Sequence, residues 1–349
     1  MDTMHETKKW FDYAGDDSDV IVSTRVCIAR NLAGFPFAWK MRASDRKTVL
    51  RTVLEAAQSS RLAIAGQFSC RLLEELSKTE LVSLAERGLA TPDFIARREG
   101  RALLCTEDES LSVSVNGGDH LLLAAMRPGL DLDGAYSAVD TLESVLSRAL
   151  DFAFDEEFGY LTEDPADLGT GMHAELTLHL PALARAGSLP RVAAGLSKLG
   201  LRLREGLGAE PQAELYRLSN QVTLGISEQE AVFNLKSMAY QVVTQERSAR
   251  SALCGTVEMQ DRIFRALGVL QNARILPLPE FMSCFSQVRL GVSQQLFEGI
   301  RLDGMAALMA EAQPATLMLG AGKALSAAER DIARASLARS VLAMRKEEG

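Results

Sequence analysis

The stretch VSVNGGDHLLLAAM, residues 113–126, has the pattern of two strands joined by a tight turn. Apolar Val113 and Val115 alternate with serines, an Asn-Gly pair follows, and an apolar run resumes after the turn. An Asn-Gly pair between apolar strands is a strong hairpin signal, because both residues tolerate the positive φ angles that tight hairpin turns require. We therefore predict two antiparallel strands over residues 110–125.

A further strand is predicted at residues 173–181, HAELTLHLP, where apolar and polar residues alternate. Successive side chains of a strand point to opposite faces, so this pattern indicates an antiparallel strand that is half-buried. The core-facing set is Leu176, Leu178 and Leu180, and the outward-facing set is Glu175, Thr177 and His179.

Helical periodicity dominates much of the remaining chain. Residues 44–97 carry apolar positions separated by charges and are predicted to be mostly helical. Residues 227–250 form the clearest helix, because Ser227 and Glu230 make a capping box ahead of apolar residues at helical spacing.

From about residue 258 the pattern is helical throughout, and the last helix begins with a second capping box, Ser326 and Glu329. Mixed helices and strands followed by helices alone predict an α+β fold with an all-α C-terminal domain. We place the break near residues 252–258. The expected domains are residues 1–252, including a small helical N-terminal part, and residues 258–349.

The composition excludes several classes of function. The 349 residues carry a net charge of −8, which disfavours binding to nucleic acid and to anionic membranes. No apolar run is long enough for a membrane span, and the N-terminus lacks a signal-peptide core. Five scattered cysteines without a CxxC pair favour a reducing cytoplasm, and neither they nor the four histidines suggest a metal site.

Three stretches together indicate a family. They are DVIVSTRVCIARNLAGFPF (19–37), VNGGDHLLL (115–123) and FGYLTEDPADLGTGMHAELTLHLPAL (158–183). In order and spacing they resemble the phosphagen (guanidino) kinases, most closely the bacterial protein-arginine kinases. The resemblance extends over roughly residues 18–340, through LYRLSNQVTLGISEQEAV (215–232) and QERSAR (245–250).

The resemblance implies a fold and a reaction. The fold would be a guanidino-kinase catalytic domain, an antiparallel sheet flanked by helices, followed by a helical domain used in dimerisation. In the family's reaction the γ-phosphoryl group of ATP passes to a guanidinium nitrogen, and positioning and electrostatic stabilisation carry most of the catalysis. Arginines clamp the nucleotide phosphates, and a carboxylate in an Asn-Glu-Glu-Asp-His loop orients the guanidinium and accepts its proton.

This chain departs from the family pattern at the positions that carry the chemistry. Gly117 and Gly118 stand where relatives have the two glutamates, and Asp119 follows them. Asp164 stands in place of the family's active-site cysteine. Three clamp arginines are replaced, by Cys27, Leu122 and His173, whereas Arg25 and Arg204 match residual clamp positions.

The size of the loss argues against efficient catalysis. A hydrogen bond to a charged group is worth roughly 1.5–3 kcal/mol, so three lost arginines cost on the order of 4.5–9 kcal/mol if additive. Glycine supplies no base, and the acidic residues Glu163, Asp164 and Asp167 would repel a polyanion. The alternative is a rebuilt site, in which Asp119 or Asp164 acts as base and protonated His173 replaces an arginine.

One motif matches its family counterpart throughout. The last helix contains Arg330-Asp331-x-x-Arg334-Ala335. In protein-arginine kinases such a motif forms a second pocket that binds phosphoarginine. An Arg can pair with the phosphoryl group while the Asp accepts the N–H donors, and residues four apart share a helix face. The alternative is an ordinary solvated face of a charged helix.

Three functions follow as hypotheses. The first is a catalytically impaired or inactive protein-arginine kinase homologue, a pseudokinase that binds phosphoarginine or a partner protein in a regulatory or scaffolding role. The second is an active ATP-dependent kinase with a rebuilt site. The third is a pure interaction protein with neither pocket functional.

The resemblance also bears on ligands and partners. We expect no cofactor and no metal, with ATP and magnesium needed only if the kinase site is active. The expected partner is a phosphoarginine-bearing protein, or an active kinase or activator; the family implies a zinc-finger activator and a Clp-type unfoldase. Neither nucleic acid nor membrane is expected, and the protein is predicted to be a cytoplasmic homodimer.

Overall fold

The structure, a computed structural model, describes residues 7–59, 68–206 and 213–343. Its centre is an eight-stranded sheet in the order β2-β3-β4-β5-β1-β8-β10-β9, in which every neighbouring pair is antiparallel. A separate two-stranded hairpin pairs β6 with β7. The strands are β1 (Ile21–Arg30), β2 (Phe68–Leu72), β3 (Ala102–Thr106), β4 (Leu111–Val115), β5 (Leu121–Pro128), β6 (Phe154–Asp155), β7 (Gly159–Tyr160), β8 (Met172–His179), β9 (Leu201–Glu205) and β10 (Leu215–Asn220).

The two predicted antiparallel strands are confirmed, but the tight Asn-Gly turn is wrong, because five residues, 116–120, join the strands and Gly117 has no positive φ. Val115 of β4 pairs with Leu121 of β5, and the N–H of Asn116 donates to the carbonyl of His120 at 2.8 Å to close the loop. Asn116 adopts φ 63°, a left-handed conformation that asparagine tolerates better than most residues. The loop between these strands therefore projects residues 116–120 from one end of the sheet.

Strand β8 forms as predicted, but it is more deeply buried than the sequence indicated. Leu176 and Leu178 lie in the core below the sheet. On the opposite face His173 and Glu175 are half-buried, whereas Thr177 and His179 are buried. The half-buried prediction is wrong for this end of the strand, because a C-terminal helix covers it.

The helices are α1 (Ala43–Ser59), α2 (Lys78–Glu86), α3 (Pro92–Ala96), α4 (Leu132–Leu146), α5 (Pro181–Arg185), α6 (Leu189–Ser197), α7 (Glu228–Cys254), α8 (Val257–Asn272), α9 (Leu278–Ser293), α10 (Asp303–Glu311), α11 (Pro314–Gly320) and α12 (Ala327–Val341). The predicted helix at 227–250 is confirmed as α7, and both predicted capping boxes form. The α+β fold with an all-α C-terminal region is likewise confirmed.

The mostly helical prediction for residues 44–97 missed one element. Helices α1, α2 and α3 lie in this range, but so does β2, an edge strand whose residues are half-buried or exposed. Its sequence, FSCRL, does alternate apolar and polar residues, and Phe68 and Leu72 pack against the main core, but the run is only five residues long and lies among helical patterns. The part of the prediction on residues 60–67 lies outside the described residues.

Two large apolar cores and two smaller ones stabilise the described part of the fold. The larger core lies between the sheet and helices α1, α4 and α7, and the second is formed by the C-terminal helices α8, α9, α10 and α12. Helix α7 ends at Cys254 and α8 begins at Val257. The division of the chain into domains at residues 252–258 stays a prediction.

Within the described ranges, no cluster of three or more His, Cys, Asp or Glu side chains could hold a metal ion. No helix of the described ranges is long and apolar enough to cross a membrane.

Candidate active site

Five of the residues singled out in the sequence share one face of the sheet. Cys27 of β1 lies opposite His173 of β8, and the next same-face pair along these strands is Arg25 and Glu175. Leu122 of β5 lies opposite Ala29, two residues along from Cys27. On the other side of β8, Ser219 of β10 lies opposite Glu175. Arg217, two residues from Ser219 along β10, shares this face, and Arg204 of β9 lies opposite Arg217.

The charges on this face are mixed rather than uniformly positive. Glu175 lies directly across from Arg25, and its Oε1 is 3.7 Å from Nε of Arg217. The Nε atoms of Arg25 and Arg217 are buried and have no hydrogen-bond partner within the described residues. Because a carboxylate sits among the remaining arginines, the face attracts a polyphosphate less than a cluster of free arginines would. The sequence predicted that Glu175 lies on the polar face of its strand, but not that it lies between Arg25 and Arg217. It also did not identify Arg217 as part of this face.

His173 is paired with an acid. Its Nε2 lies 2.8 Å from Oδ1 of Asp167, one of the residues that replace the family's cysteine turn. This hydrogen bond raises the pKa of His173 above its ordinary value, against the opposing effect of burial. The imidazolium is therefore favoured, although its charge is shared with Asp167.

Two hydrogen bonds to Asp119 fix the loop between β4 and β5. Oδ1 of Asp119 accepts hydrogen bonds from Nδ2 of Asn31 at 2.6 Å and from the backbone N–H of Glu163 at 2.7 Å. Burial raises the pKa of Asp119, and these two bonds oppose the rise.

His120 next to it is a structural residue. Its Nδ1 accepts from the N–H of Leu32 at 3.0 Å, and its Nε2 lies 3.0 Å from the carbonyl of Pro36, an arrangement that fits a neutral ring with the proton on Nε2. Burial lowers the pKa of His120, in agreement with a neutral ring.

Glu163 occupies the space beside the glycines. Neither Gly117 nor Gly118 has a positive φ, so their backbone does not require glycine. A Cβ at Gly118 would lie 3.5 Å from Oε2 of Glu163, and a Cβ at Gly117 would lie 3.5 Å from the ring of Phe94.

The Glu163 carboxylate lacks a partner. Its Oε2 is buried and has no hydrogen-bond partner in the described part of the chain. Burial and then Asp119 raise the pKa of Glu163, while Arg46, Arg97 and Arg101 oppose the rise. Sequence reasoning counted Glu163 only as a repulsive charge, because its proximity to Gly118 depends on residues far apart in the chain.

Asp164 is engaged in a local turn. It is exposed, and its Oδ1 accepts from the N–H of Ala166 at 2.9 Å, capping the short 3-10 helix Pro165–Asp167. The structure therefore brings Asp119 and Glu163 together and gives Asp164 a capping contact instead.

The three residues of the C-terminal motif have different environments. Arg334 is 1% exposed; its Nε donates to the carbonyl of Ala312, and its Nη1 donates to the carbonyl of Leu276 and to Oδ1 of Asp331. Arg330 is half-buried and donates to the carbonyl of Leu325 at 3.0 Å. Arg334 thus anchors α12 to its neighbours, and the more accessible pair is Arg330 and Asp331.

Two known protein families match this chain. Residues 49–249 match the family described as "ATP:guanido phosphotransferase, C-terminal catalytic domain". Residues 256–349 match "Protein-arginine kinase McsB C-terminal domain". The chain therefore contains an ATP:guanido phosphotransferase catalytic domain followed by a protein-arginine kinase C-terminal domain.

Two bacterial relatives show which kind of ATP:guanido phosphotransferase this chain is similar to. The chain is 37% identical over 345 residues to the protein-arginine kinase of Moorella thermoacetica, covering 97% of this chain and 99% of the relative. It is 39% identical over 335 residues to that of Pelotomaculum thermopropionicum, covering 95% and 94%. The chain belongs to the protein-arginine kinase family of ATP:guanido phosphotransferases, which confirms the resemblance seen in the sequence.

Solved structures agree on the fold. Lombricine kinase superposes with a TM-score of 0.60 at 15% identity, covering 71% of this chain and 73% of that chain. The substrate-free duplicated taurocyamine kinase from Schistosoma mansoni superposes with a TM-score of 0.55 at 23% identity, covering 71% of this chain and 36% of that chain. At these identities the likeness concerns the fold alone.

Proposed function

We propose that this chain is a catalytically impaired or inactive protein-arginine kinase homologue with a regulatory or scaffolding role. The observation that carries the proposal is the sheet face on which ATP phosphates would lie. Cys27 and His173 stand opposite each other where the family has arginines, and Glu175 lies across from Arg25. The partner would be a phosphoarginine-bearing protein, or an active kinase or activator, and the chain would act as a cytoplasmic homodimer.

The remaining residues fit a nucleotide poorly. Loss of three charged hydrogen-bond donors weakens phosphate binding at least about a thousandfold, taking roughly 1.5 kcal/mol for each. Glu175 pairs with Arg217 and lies across from Arg25, so it reduces the positive potential that this face offers to a nucleotide.

Phosphotransfer provides the direct test. The full chain is incubated with radiolabelled ATP and magnesium on an arginine-rich protein, and phosphoarginine is quantified by mass spectrometry. We expect no turnover above a no-enzyme control and no calorimetric signal for Mg-ATP at micromolar concentrations. Robust turnover would overturn the proposal.

Phosphoarginine binding is tested separately by calorimetry. Arg330→Gln and Asp331→Asn should each weaken binding by about tenfold or more, because each removes a charge-assisted hydrogen bond. Arg265→Gln is the matched control, since Arg265 is an exposed arginine of α8 that pairs with Asp261 in its own helix. Absence of binding, or binding unaffected by both motif variants, would favour an interaction protein without a functional pocket.

Two observations favour an active kinase as the second candidate. Glu163 places a carboxylate with an unpartnered oxygen beside Gly118, and the raised pKa of His173 favours a cation at a clamp position. In that case Glu163 or Asp119 would accept the guanidinium proton. Glu163→Gln and Asp119→Asn would then abolish any turnover that the wild-type chain shows, while both variants remain folded by circular dichroism.

A further inference from the structure

A run of positive charge follows α6 and β9, which pack against each other. From residue 185 to residue 204 the chain contains five basic residues and no acid, although its net charge is −8. Arg185 pairs with Glu214 at 3.2 Å. The other four are exposed, and their side chains form no ion pair or hydrogen bond with the residues that the structure describes. They are Arg191, Lys198, Arg202 and Arg204.

Strand β9 forms one edge of the eight-stranded sheet, and within the described ranges it pairs with β10 alone. The N–H of Gln221 donates to the carbonyl of Gly200 at 2.9 Å, in the same register as the ladder between β9 and β10. In an antiparallel ladder the hydrogen-bonded residues alternate, so the even-numbered residues of β9 bond to β10. The backbone N–H and C=O groups that point to the open side belong to Leu201, Leu203 and Glu205.

The side chains of β9 alternate between two faces. Leu201 belongs to the larger core, and Leu203 packs against it. Arg202 and Arg204 project from the opposite face, about 7 Å apart because two residues of a strand span that length. Arg204 lies opposite Arg217 of β10, so no acid lies directly across from it. The edge thus presents free backbone groups next to two cations at the spacing of alternate strand residues.

From this geometry we propose that β9 is a docking edge for an extended acidic segment of a partner protein, which adds to the sheet as a further strand. The backbone of the segment pairs with the open groups of Leu201, Leu203 and Glu205, and carboxylates at every second position face Arg202 and Arg204. This binding goes beyond the proposed function, because it involves neither phosphotransfer nor the C-terminal motif.

Other occupants fit this edge less well. A second copy of β9 would bring arginines against arginines, which destabilises a strand pair. A nucleic acid offers no row of amide donors to the open carbonyls, and the net charge of −8 repels it. An apolar segment would leave the arginines without partners. The opposite edge strand, β2, carries a single arginine, Arg71, and so lacks a pair of cations.

Two fluorescein-labelled peptides of equal composition test the strand geometry. Thr-Glu-Thr-Glu-Thr-Glu-Thr places its glutamates on one face of a strand, whereas Glu-Thr-Thr-Glu-Thr-Thr-Glu places neighbouring glutamates on opposite faces. In fluorescence anisotropy with the full chain, the alternating peptide should bind about two- to fivefold more tightly. The reason is that only this peptide can pair with Arg202 and Arg204 at the same time, and an exposed ion pair is worth a factor of about this size.

Two variants separate the backbone from the charge. Glu205→Pro removes one open N–H at an exposed position of the edge, where proline is tolerated, and should weaken binding about two- to tenfold. It also removes an acid, which by itself would favour an acidic peptide, so a loss reports the backbone bond. Arg202→Gln should weaken binding of the alternating peptide about two- to fivefold and abolish the preference between the two peptides.

Each variant has a matched control. Cys70→Pro alters the other edge of the sheet, where the N–H of Leu73 donates to the carbonyl of Arg101 and the exposed Cys70 therefore points its own N–H outward. Arg262→Gln removes an exposed arginine of α8. Both controls should bind the alternating peptide like the wild-type chain, and circular dichroism checks that every variant is folded. If Glu205→Pro is unfolded, the comparison of Arg202→Gln with Arg262→Gln decides.

Several results would overturn the proposal. They are no binding of the alternating peptide, equal affinity of the two peptides, losses in the controls as large as those in the β9 variants, and tighter binding of a short oligothymidine than of the alternating peptide. Assays of phosphotransfer and of phosphoarginine binding test the proposed function through other residues, so either proposal can fail while the other stands.

Discussion

A buried ion pair between Glu246 and Arg250 joins the C-terminal helices to the sheet. Removing the charge of Glu246 tests how much this pair contributes to stability. Glu246 is fully buried in α7 and accepts from Nε of Arg250 at 2.8 Å and from the N–H groups of Ala182 and Leu183 at 3.0 and 2.9 Å. Arg250, also fully buried, donates in turn to the carbonyl of His179 in β8 and to Ser293 in α9. The pair therefore joins α7, β8 and α9.

The substitution Glu246→Gln preserves the size of the side chain and removes its charge. Arg250 is then left buried without a compensating carboxylate, and it lies close to Arg289, another buried arginine. Burial first and the Arg250 charge second already lower the pKa of Arg289 to about 9. Breaking a buried ion pair by removing one partner costs about 3–5 kcal/mol. We expect a loss of that size in the free energy of unfolding.

Equilibrium urea unfolding followed by circular dichroism measures this loss. Glu55→Gln is the control, because Glu55 is exposed and forms only a surface pair with Arg51 at 3.9 Å. It should change stability by less than about 0.5 kcal/mol. Adding Arg250→Met to Glu246→Gln should recover part of the loss, since an apolar residue leaves no unpaired charge. A loss below about 1 kcal/mol for Glu246→Gln, or no recovery in the double variant, would refute this reasoning.

Three further predictions concern other parts of the molecule. Burial, followed by two neighbouring arginines, holds the pKa of His179 well below its ordinary value of 6.5, so the unfolded chain binds a proton that the folded chain does not. Stability should therefore be lost as pH falls below about 6.5, and urea unfolding of His179→Gln should show a weaker pH dependence. Arg334→Met should lower the free energy of unfolding by roughly 3 kcal/mol because buried carbonyls lose their donor, whereas Arg330→Gln should change it by less than about 0.5 kcal/mol; equal losses would contradict this distinction. Gly118→Glu should cost about 1–2 kcal/mol in the wild-type chain through repulsion by Glu163, and clearly less in a Glu163→Gln background; additive effects in this double-mutant cycle would disprove the contact.

The sequence alone determined the elements whose patterns are local. The strand pair at 113–126 is encoded by apolar runs on either side of a polar loop, and α7 by a capping box and helical spacing. The family was also evident from motifs in a fixed order. The strand β2 was missed because its alternating pattern, FSCRL, is only five residues long and lies between helical segments.

Only the tertiary structure decided which side chains meet. Glu163 lies beside Gly118, and the N–H of Glu163 donates to Oδ1 of Asp119, although 44 positions separate these two residues in the chain. The buried Arg334 likewise donates to the carbonyls of Ala312, between α10 and α11, and of Leu276, between α8 and α9. Local spacing predicts the conformation of a segment, because neighbours in sequence share its backbone. The partner and the charge environment of a side chain depend on packing between distant segments, which no local pattern encodes.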